Sequence, residues 1–594
     1  NGVPFPDTRI PANRIGTVPR GLDSFFSAPN LPGGVAGLGN NFTVNIPVLE
    51  PVDRYSLRVD YSLTEKDQLS ARFFRSANGP FNQSSVFFGI PGGPGTDKFG
   101  NWGGFGNATN NFMSNWTRIL SPRLINEARF GVSFNNFFRT PQNFNFDPSQ
   151  LVPGLIRPVD GLGGLPTVNI LGFRGFSDAP GSGDRQATYE IANTTTYTAG
   201  KHTMKFGFEF LRVSSFNRQN TPPFRGRFDF DGRYAGHPFA DYLLGAMSLS
   251  QRNTRNALNE PLNNRYFAFA QDDWQVTSKL TLNVGVRWEY QAPFTNAQGD
   301  LSNWYPDRNQ VAVIQGLANA EARLLRLPVV DGSTIGLNTS NYVSRDLNNF
   351  APRLGLAWRP FGNRFVVRSS YGIFYNVIAG YNGLLQQGIT NPPFRVQENF
   401  EPAPGTVPSL TWANPFPGAG GIPTNPALVA IARNRVNPYM QQWNATIEYE
   451  VAKNTAFRVS YLGNKGTRLE RNANINEPAI APGVIQPRRP FQPWGPITYW
   501  ESGRNSILHQ LQVGLVRRYS SGLTFQFEYQ FSRALNEFTF GDAPFNPLDF
   551  RYDRGNQDGI RRHWAVLNYA YDLPFGQGKR FGSGVSKAMN YVIG

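Results

Sequence analysis

The chain is long, aromatic and weakly charged: of its 594 residues, 14% are aromatic and 16% are charged, and the formal net charge is +16. This length is too great for one ordinary soluble domain, and soluble domains usually carry about 25% charged residues. Because the chain has no cysteine, disulfides, thiolate catalysis and cysteine-ligated zinc are excluded.

The positive charge would suit a polyanionic partner or an anionic lipid surface. However, the lysines and arginines are scattered and form no block of the kind found in nucleic-acid-binding tails, so we expect no nucleic acid partner. The sequence contains no run of about 18 apolar residues and therefore predicts no membrane helix. Membrane-spanning strands give a weaker signal, and this observation does not exclude them.

Seven strand hairpins with short turns follow one another along the chain. In the clearest copy, Trp443, Ile447 and Val451 alternate with polar residues, and Phe457 and Tyr461 resume the alternation after a short turn. Successive side chains of a strand face opposite sides, so each hairpin has one apolar and one polar face. The predicted turns lie at residues 64–67, 121–123, 199–201, 277–279, 361–363, 452–454 and 520–522, and an eighth is predicted at 574–579.

Two incoming segments alternate poorly. They are residues 112–120 and residues 265–276, and in the second the phase slips between Phe269 and Trp274. We still predict strands here, with bulges that shift the alternation.

The predicted strands are long enough to cross a bilayer. Each outgoing strand reaches an aromatic residue, such as Phe210, Trp288 or Tyr529, within about 12 residues of its turn; a tilted transmembrane strand needs about 9–11 residues and has aromatic residues at its interfaces. Open sheet edges do not occur in lipid, so such strands must close into a barrel. The sequence therefore predicts an all-β fold, an antiparallel transmembrane β-barrel.

Long loops are predicted at the end of the strands opposite the turns. Examples are residues 77–111, 135–185, 291–349 and 378–436, and two stretches within them, 318–327 and 426–433, are predicted as short helices. Short turns at one end and long loops at the other are typical of bacterial outer-membrane barrels, whose turns face the periplasm. We therefore expect the chain in the bacterial cell outer membrane, in contact with its lipid and lipopolysaccharide.

The chain divides into three predicted regions. Residues 1–54 are expected to form an extracellular loop, residues 55–573 the strand hairpins, and residues 574–594 a turn and the start of a next strand. The N-terminus shows no start methionine and no signal-peptide pattern, and the C-terminus stops within an apolar segment. We expect both ends to be truncations of a longer protein.

The polar face of the hairpins carries charges of both signs, which indicates a wet interior. We expect these charges to pair with one another around the lumen; the alternative is contact with a plug or with an anionic solute. The residues are Arg58, Arg72, Arg129, Arg287, Glu289, Arg368, Glu448, Arg458 and Glu528.

No motif in the sequence points to catalysis, and we predict no enzyme, no cofactor and no metal site. The four histidines, His202, His237, His509 and His563, show no zinc-protease spacing and are predicted to be turn or lumen residues. Asp549, Asp553 and Asp558 could offer oxygen ligands to calcium. Because Arg551, Arg554, Arg561 and Arg562 lie beside them, we favour a charge-balanced loop.

Seven short strings follow one another along nearly the whole chain: IPANRI (10–15), FADYLLG (239–245), FAQDDW (269–274), PRLG (352–355), NPYMQQW (437–443), YLGNKG (461–466) and LPFG (573–576). In this order they resemble the TonB-dependent outer-membrane receptors of the Oar-like group. Many members of this group carry a carboxypeptidase-regulatory-like domain at the N-terminus.

The resemblance implies a barrel of about 22 strands around a plug. The hairpins supply about fifteen strands, so the chain would be part of the barrel, with the plug and the N-terminal domains outside it. The implied function is to bind a bulky solute at the outer loops for import energised by the TonB complex, which would act through the absent plug. The sequence names neither the solute nor the substrate-binding residues.

Two alternatives remain open. One is a barrel that displays loops for adhesion, or that exports a partner, without import. The other is a soluble β-rich glycan-binding protein or hydrolase, which would bury the apolar face of the hairpins against a second layer.

Overall fold

The structure is a computed structural model. It describes residues 5, 9–26, 28–32, 39, 41–43, 51–81, 102–141, 143–155, 163–178, 182–219, 223–253, 258–318, 320, 322–376, 391–402, 407–418, 421, 423–537, 544, 546 and 549–593. No helix among these residues is long and apolar enough to cross a membrane.

Strands dominate the fold. In chain order they are β1 (Val52–Ser62), β2 (Asp67–Phe81), β3 (Trp102–Ser121), β4 (Leu124–Pro141), β5 (Thr167–Ile170), β6 (Ser182–Ala199), β7 (His202–Gln219), β8 (Arg227–Phe230), β9 (Leu249–Asn253), β10 (Leu258–Asn259), β11 (Pro261–Thr277), β12 (Leu280–Gln291), β13 (Thr295–Asn296), β14 (Ser302–Tyr305), β15 (Gln310–Val313), β16 (Val329–Asp331), β17 (Phe350–Trp358), β18 (Phe365–Tyr375), β19 (Gln397–Phe400), β20 (Leu428–Ile431), β21 (Tyr439–Ala452), β22 (Thr455–Asn474), β23 (Ile497–Ser520), β24 (Leu523–Asn536), β25 (Gly555–Asn556) and β26 (His563–Tyr571).

Among the described residues, helical structure is limited to short pieces. The α-helices are α1 (Thr17–Leu22), α2 (Pro238–Leu244) and α3 (Lys587–Ile593), and 3-10 turns lie at Ala12–Arg14, Asp23–Phe25, Pro148–Gln150, Ala322–Arg326, Gly332–Ile335, Gly362–Arg364, Gln486–Arg488 and Phe550–Asp553.

Fifteen of the strands, each 9 to 24 residues long, form one continuous antiparallel wall. Each strand pairs with the next wall strand along the chain, in the order β1, β2, β3, β4, β6, β7, β11, β12, β17, β18, β21, β22, β23, β24 and β26. The wall is not closed: among the described residues, β1 pairs only with β2 and β26 pairs only with β24. The prediction of about fifteen antiparallel barrel strands is confirmed.

All seven predicted hairpin turns are confirmed, because each lies between two paired wall strands. The backbone of the turns explains their residue types. Gly200, Asn454 and Gly522 adopt positive φ angles of 57°, 65° and 79°, a conformation that glycine and asparagine tolerate better than other residues.

The two faces of the wall differ as predicted. Leu57, Phe208 and Val286 lie on one face and are 64%, 51% and 43% exposed, and the strand registers place most of the other large apolar side chains of the hairpins on the same face, with exceptions such as Phe267 and Phe269. Among the described residues, no second sheet or helix layer covers this face, contrary to what a soluble β-rich protein would require.

The two poorly alternating segments form strands, but the predicted bulges do not lie where the alternation slips: β11 pairs with β12 without interruption from Arg265 to Trp274, and β3 with β4 from Gly104 to Ile119. The register of β11 with β12 shifts between Trp274 and Thr277, and that of β3 with β4 shifts between Ile119 and Ser121. Both predicted strands are confirmed, and both shifts lie next to the short turns.

Several boundary predictions were wrong. Strands β2, β3, β4 and β6 run beyond the length that a bilayer needs, so the loops predicted at 77–111 and 135–185 are shorter in the structure. The loops predicted at 291–349 and 378–436 lie between β12 and β17 and between β18 and β21, as expected. Residues 428–431, within a predicted helix, form strand β20, which pairs in parallel with β23. The other predicted helix contains only the 3-10 turn at Ala322–Arg326. The apolar run Leu428–Ile431 is too short to show from its periodicity which structure it adopts.

The C-terminal segment is also different from the prediction. The eighth turn leads into α3 rather than into a further strand. A strand needs a neighbour for its backbone hydrogen bonds, whereas a helix satisfies most of its own. Residues 587–593 have no strand partner among the described residues.

The loops opposite the turns fold into a layer that we call the cap. One part is a four-stranded sheet in the order β19, β9, β8, β5. It packs on a buried cluster that includes Leu22, Phe228, Phe230, Tyr242 and Trp412. The second part contains the three-stranded sheet β14, β15, β16, and Trp304 and Trp494 are fully buried in its core. Long loops thus build their own hydrophobic cores.

Candidate functional site

The four-stranded cap sheet has one apolar and one polar face. Val168 and Ile170 of β5, and Phe228 and Phe230 of β8, are buried in the cap core. The alternating residues of the same strands therefore point to the other side. They border a cavity of about 1380 Å³, which we call the cap cleft. This volume exceeds that of a usual small-molecule pocket, about 300–1,000 Å³.

A ladder of polar side chains forms the floor of the cap cleft. Asn169 Nδ2 donates a hydrogen bond to Asp229 Oδ1 at 2.7 Å. Arg227 donates from Nε and Nη2 to the two oxygens of Asp229 at 3.0 and 2.7 Å. Further along the sheet, Gln251 Nε2 donates to Asn399 Oδ1 at 3.0 Å. These planar groups are held side by side across the four strands of the sheet.

A buried arginine supports one wall of the cap cleft. Arg225 donates to the carbonyl oxygens of Gly163 and Asp178, and burial lowers the pKa of Arg225 to about 10. At the rim, Arg233 binds Asp231 through both oxygens, and this hydrogen bonding lowers the pKa of the Asp231 carboxyl. Two arginines of the cleft, Arg227 and Arg233, are thus already engaged with carboxylates.

An ion pair joins two loops beneath this sheet. Arg252 Nε of β9 lies 2.5 Å from Glu398 Oε2 of β19, and the side chain of Glu398 is 1% exposed. The Arg252 guanidinium also lies 4.7 Å from the centre of the Phe416 ring. This pair, which we call the loop clasp, connects the loop after β7 to the loop after β18.

The polar face of the wall carries the predicted charges. All nine lie on the face opposite the exposed apolar side chains, as the strand registers require. Several form ion pairs, for example Arg287–Glu209 at 2.9 Å, Arg368–Glu448 at 3.1 Å and Arg458–Glu528 at 2.9 Å. The predicted mutual pairing is confirmed for these residues.

Glycines make a groove on the same face of the wall. Gly285 of β12 and Gly355 of β17 flank Asn283, and a cavity of about 450 Å³ lies against them. Since these positions have no side chain, the wall is thinner here than at its neighbours. The groove is a place where another segment or a passing solute can approach the backbone.

The histidine prediction was partly wrong. His509 and His563 lie on the apolar face of the wall near the long-loop end, where each ring Nδ1 hydrogen-bonds a tyrosine hydroxyl, Tyr461 at 2.7 Å and Tyr529 at 2.9 Å. Neither is a turn or lumen residue. Within the described ranges, no group of three or more His, Cys, Asp or Glu side chains is placed to hold a metal ion.

The sequence alone predicts no substrate-binding residues and does not show the cap cleft. A weak signal was present, because TVNI (167–170) and RFDF (227–230) alternate in the manner of strands. Runs of four residues inside long loops fall below the length at which alternation identifies a strand.

A comparison with protein families decides what kind of protein this is. The whole chain, residues 1–594, matches the family described as outer membrane beta barrel domain. The chain belongs to this family. Its apolar wall face therefore meets lipid in the outer membrane, its short turns face the periplasm, and its cap lies outside the cell.

Several solved structures of outer-membrane receptors are similar to this chain at low identity. The alcaligin outer membrane receptor FauA from Bordetella pertussis is 10% identical with a TM-score of 0.41, over 89% of this chain and 58% of that chain. The ferripyoverdine receptor of Pseudomonas aeruginosa is 9% identical with a TM-score of 0.45, over 88% of this chain and 52% of that chain. The ferric-catecholate import receptor Fiu from E. coli is 11% identical with a TM-score of 0.43, over 89% of this chain and 62% of that chain.

The chain thus spans little more than half the length of these structures. Among curated proteins, none matches the chain significantly.

Proposed function

We propose that this chain is the barrel portion of a TonB-dependent receptor, which binds a bulky solute in the cap cleft and passes it inward through the barrel. The seven short strings spread along the chain support membership of the Oar-like group. Energy would come from the TonB complex acting on a plug that lies outside this chain. No chemical reaction is part of the proposal.

The cap cleft is the observation that carries this proposal. It is large, it lies at the extracellular end of the wall, and hydrogen bonds hold its polar floor in place. The charged polar face of the wall agrees with a hydrated path below it. A barrel that served only as a support for loops would need neither feature.

Uptake by living cells tests the proposal. The full-length gene would be deleted from its host and restored, and cells would be given a labelled ferric catecholate, a labelled neutral oligosaccharide and a labelled peptide. We expect gene-dependent uptake of one of them, and we expect a protonophore to abolish uptake while leaving surface binding intact. Uptake that survives the protonophore, or no gene-dependent uptake of any probe, would count against energised import.

Display of loops without import is the second candidate. It is favoured by the extent of the cap, which presents two folded sheets and their cores outside the cell. In the uptake experiment, display without import predicts gene-dependent cell adhesion or surface binding of a probe, with no accumulation of the probe inside the cell. A plug sequence in the full-length gene would favour import instead.

A further inference from the structure

The cap cleft has no net charge. Its lining includes four arginines, Arg174, Arg225, Arg227 and Arg233, and four carboxylates, Asp178, Asp229, Asp231 and Glu401. Four positive and four negative charges sum to zero, although the whole chain carries +16. The cleft therefore departs from the basic character of the rest of the molecule.

Two of the four arginines are also paired locally. Arg227 and Asp229 form a bidentate pair, and Arg233 and Asp231 form another. A multiply charged anion, such as an acidic glycan or an anionic ferric chelate, would have to break these pairs to gain Arg227 or Arg233 as a partner. Breaking a pair leaves the remaining charge without its partner, which opposes binding.

Neutral groups supply the rest of the polar floor. Asn169, Gln251 and Gln397 offer amide donors and acceptors, and the Thr167 hydroxyl lies 2.9 Å from the Ser177 hydroxyl. Amides and hydroxyls both donate and accept. A row of such groups matches a solute that also carries many groups of both kinds.

Apolar groups stand at the rim. Leu171 and Phe173, in the turn after β5, are 65% and 38% exposed, and the Phe173 ring lies 5.5 Å from Phe239, which holds it from behind. A ring face beside a polar floor suits a solute with an apolar face and polar edges. Pyranose rings have this form.

A peptide strand finds no free edge at this side of the sheet. β5 is the outermost strand, and Val168 exchanges both backbone hydrogen bonds with Phe176, at 2.9 and 3.1 Å. Peptides that add to a sheet need such backbone groups unpaired. The turn at 171–175 therefore blocks strand addition at the centre of β5.

We propose that the solute taken by the cap cleft is a neutral oligosaccharide. This inference rests on the proposed function, because it assigns the substrate class of the same cleft. Hydroxyl groups would bind the row formed by Asn169, Asp229 and Gln251, and one sugar ring would lie against Phe173. Arg227 would hold Asp229 in position as an acceptor.

Binding to the purified full-length protein in detergent tests this inference. The probes are maltohexaose, cellohexaose and xylohexaose, with oligogalacturonate as the acidic counterpart and ferric enterobactin as the anionic ferric chelate, and titration calorimetry measures each affinity. We expect a neutral oligosaccharide to bind at least about tenfold more tightly than either anion. If no neutral probe binds, or an anion binds more tightly, the inference is overturned.

Variants locate the binding site. Asp229→Asn should weaken the neutral sugar about tenfold and, because Arg227 then loses its counter-charge, strengthen binding of oligogalacturonate. Asp307→Asn makes the same change in the turn between β14 and β15, where the side chain is 67% exposed, and should alter neither affinity. Asn169→Ala serves as a second variant if Asp229→Asn fails to fold. Unchanged affinities in a folded cleft variant would overturn the assignment.

The failure of this inference can be told apart from failure of import. Calorimetry in detergent needs no transport, and the uptake experiment needs no knowledge of the binding residues. Energised uptake of the ferric catecholate would support the import proposal and contradict the assignment of an oligosaccharide to the cap cleft. Tight sugar binding without energised uptake would support the oligosaccharide assignment and contradict the import proposal.

Discussion

Neighbouring residues of one wall strand face two different environments. Val286 and Asn283 lie three residues apart on β12, yet Val286 is on the exposed apolar face and Asn283 is on the opposite face. Asn283 Nδ2 donates a hydrogen bond to Asp273 Oδ1 at 2.5 Å. In a membrane, the first meets hydrocarbon and the second meets water. The cost of a charge should therefore depend on which of the two carries it.

An arginine at each position tests this difference. Val286→Arg should lower the free energy of unfolding in lipid vesicles by about 2–4 kcal/mol, because the charge is placed in hydrocarbon. Asn283→Arg should have little effect, since Gly355 and the adjacent groove leave room for the longer side chain. Denaturant titration of the full-length protein measures both values, and equal costs would contradict the orientation of the wall.

Glycine can also be required for space on the lipid face. At Gly463 an added β-carbon would lie 2.0 Å from the Trp443 ring, so the indole covers this glycine. Gly463→Ala should displace Trp443 and cost about 1–3 kcal/mol by overpacking. Gly131→Ala is the control, because its β-carbon would meet Glu190 at an ordinary 3.5 Å. Tryptophan fluorescence and unfolding titrations would report both effects; similar losses in the two variants would exclude a specific role for the Trp443 contact.

At the scale of elements, loop strands that are distant in sequence come together. The loop clasp holds β9 against β19, which belong to loops on either side of four wall strands. The Glu398 carboxylate is buried, and Arg252 is its ion-pair partner. Because separating the two loops would break this buried pair, the clasp keeps the loops together. Neither strand has enough backbone pairs to be stable alone.

Removal of one charge should open this part of the cap. Glu398→Gln leaves Arg252 without its counter-charge and should destabilise the local structure by about 3 kcal/mol. Hydrogen exchange should then rise in β9 and β19 but not in the wall strands. Glu401→Gln is the same change at an exposed position of the same loop and should leave exchange unchanged. If exchange in β9 and β19 is equal in the two variants, the clasp does not hold the loops.

At the scale of the whole molecule, the wall has two unpaired edges. β1 and β26 each have one neighbour among the described residues, and both carry exposed aromatic side chains such as Tyr55 and Tyr569. Unpaired backbone groups cannot face hydrocarbon. Strands from outside this chain are therefore expected to complete the barrel.

Expression of the 594-residue chain by itself tests this expectation. After refolding in detergent, we expect it to aggregate through its two bare edges, whereas the full-length gene product should elute as one defined species in size-exclusion chromatography. A monodisperse, stable product from the 594-residue chain would show that its edges are satisfied in some other way.

The local sequence determined the wall. Gly200, Asn454 and Gly522 suit the positive φ angles of their turns, and most wall strands alternate with a period of two, so turn, register and face follow largely from a few consecutive residues. The boundaries were less accurate, because a strand can continue beyond the bilayer wherever a neighbouring strand accompanies it. β22 and β23 do this over 20 and 24 residues.

Only the tertiary structure decided the cap cleft. Its floor combines β5 at Thr167–Ile170 with β19 at Gln397–Phe400, strands of four residues that come from different loops. Such short runs do not show by themselves that they are strands, and nothing in their residues names a distant partner. They become a sheet because burying Phe228, Tyr242 and Trp412 in one core brings the loops together, and the polar row of the cleft is the opposite face of that packing.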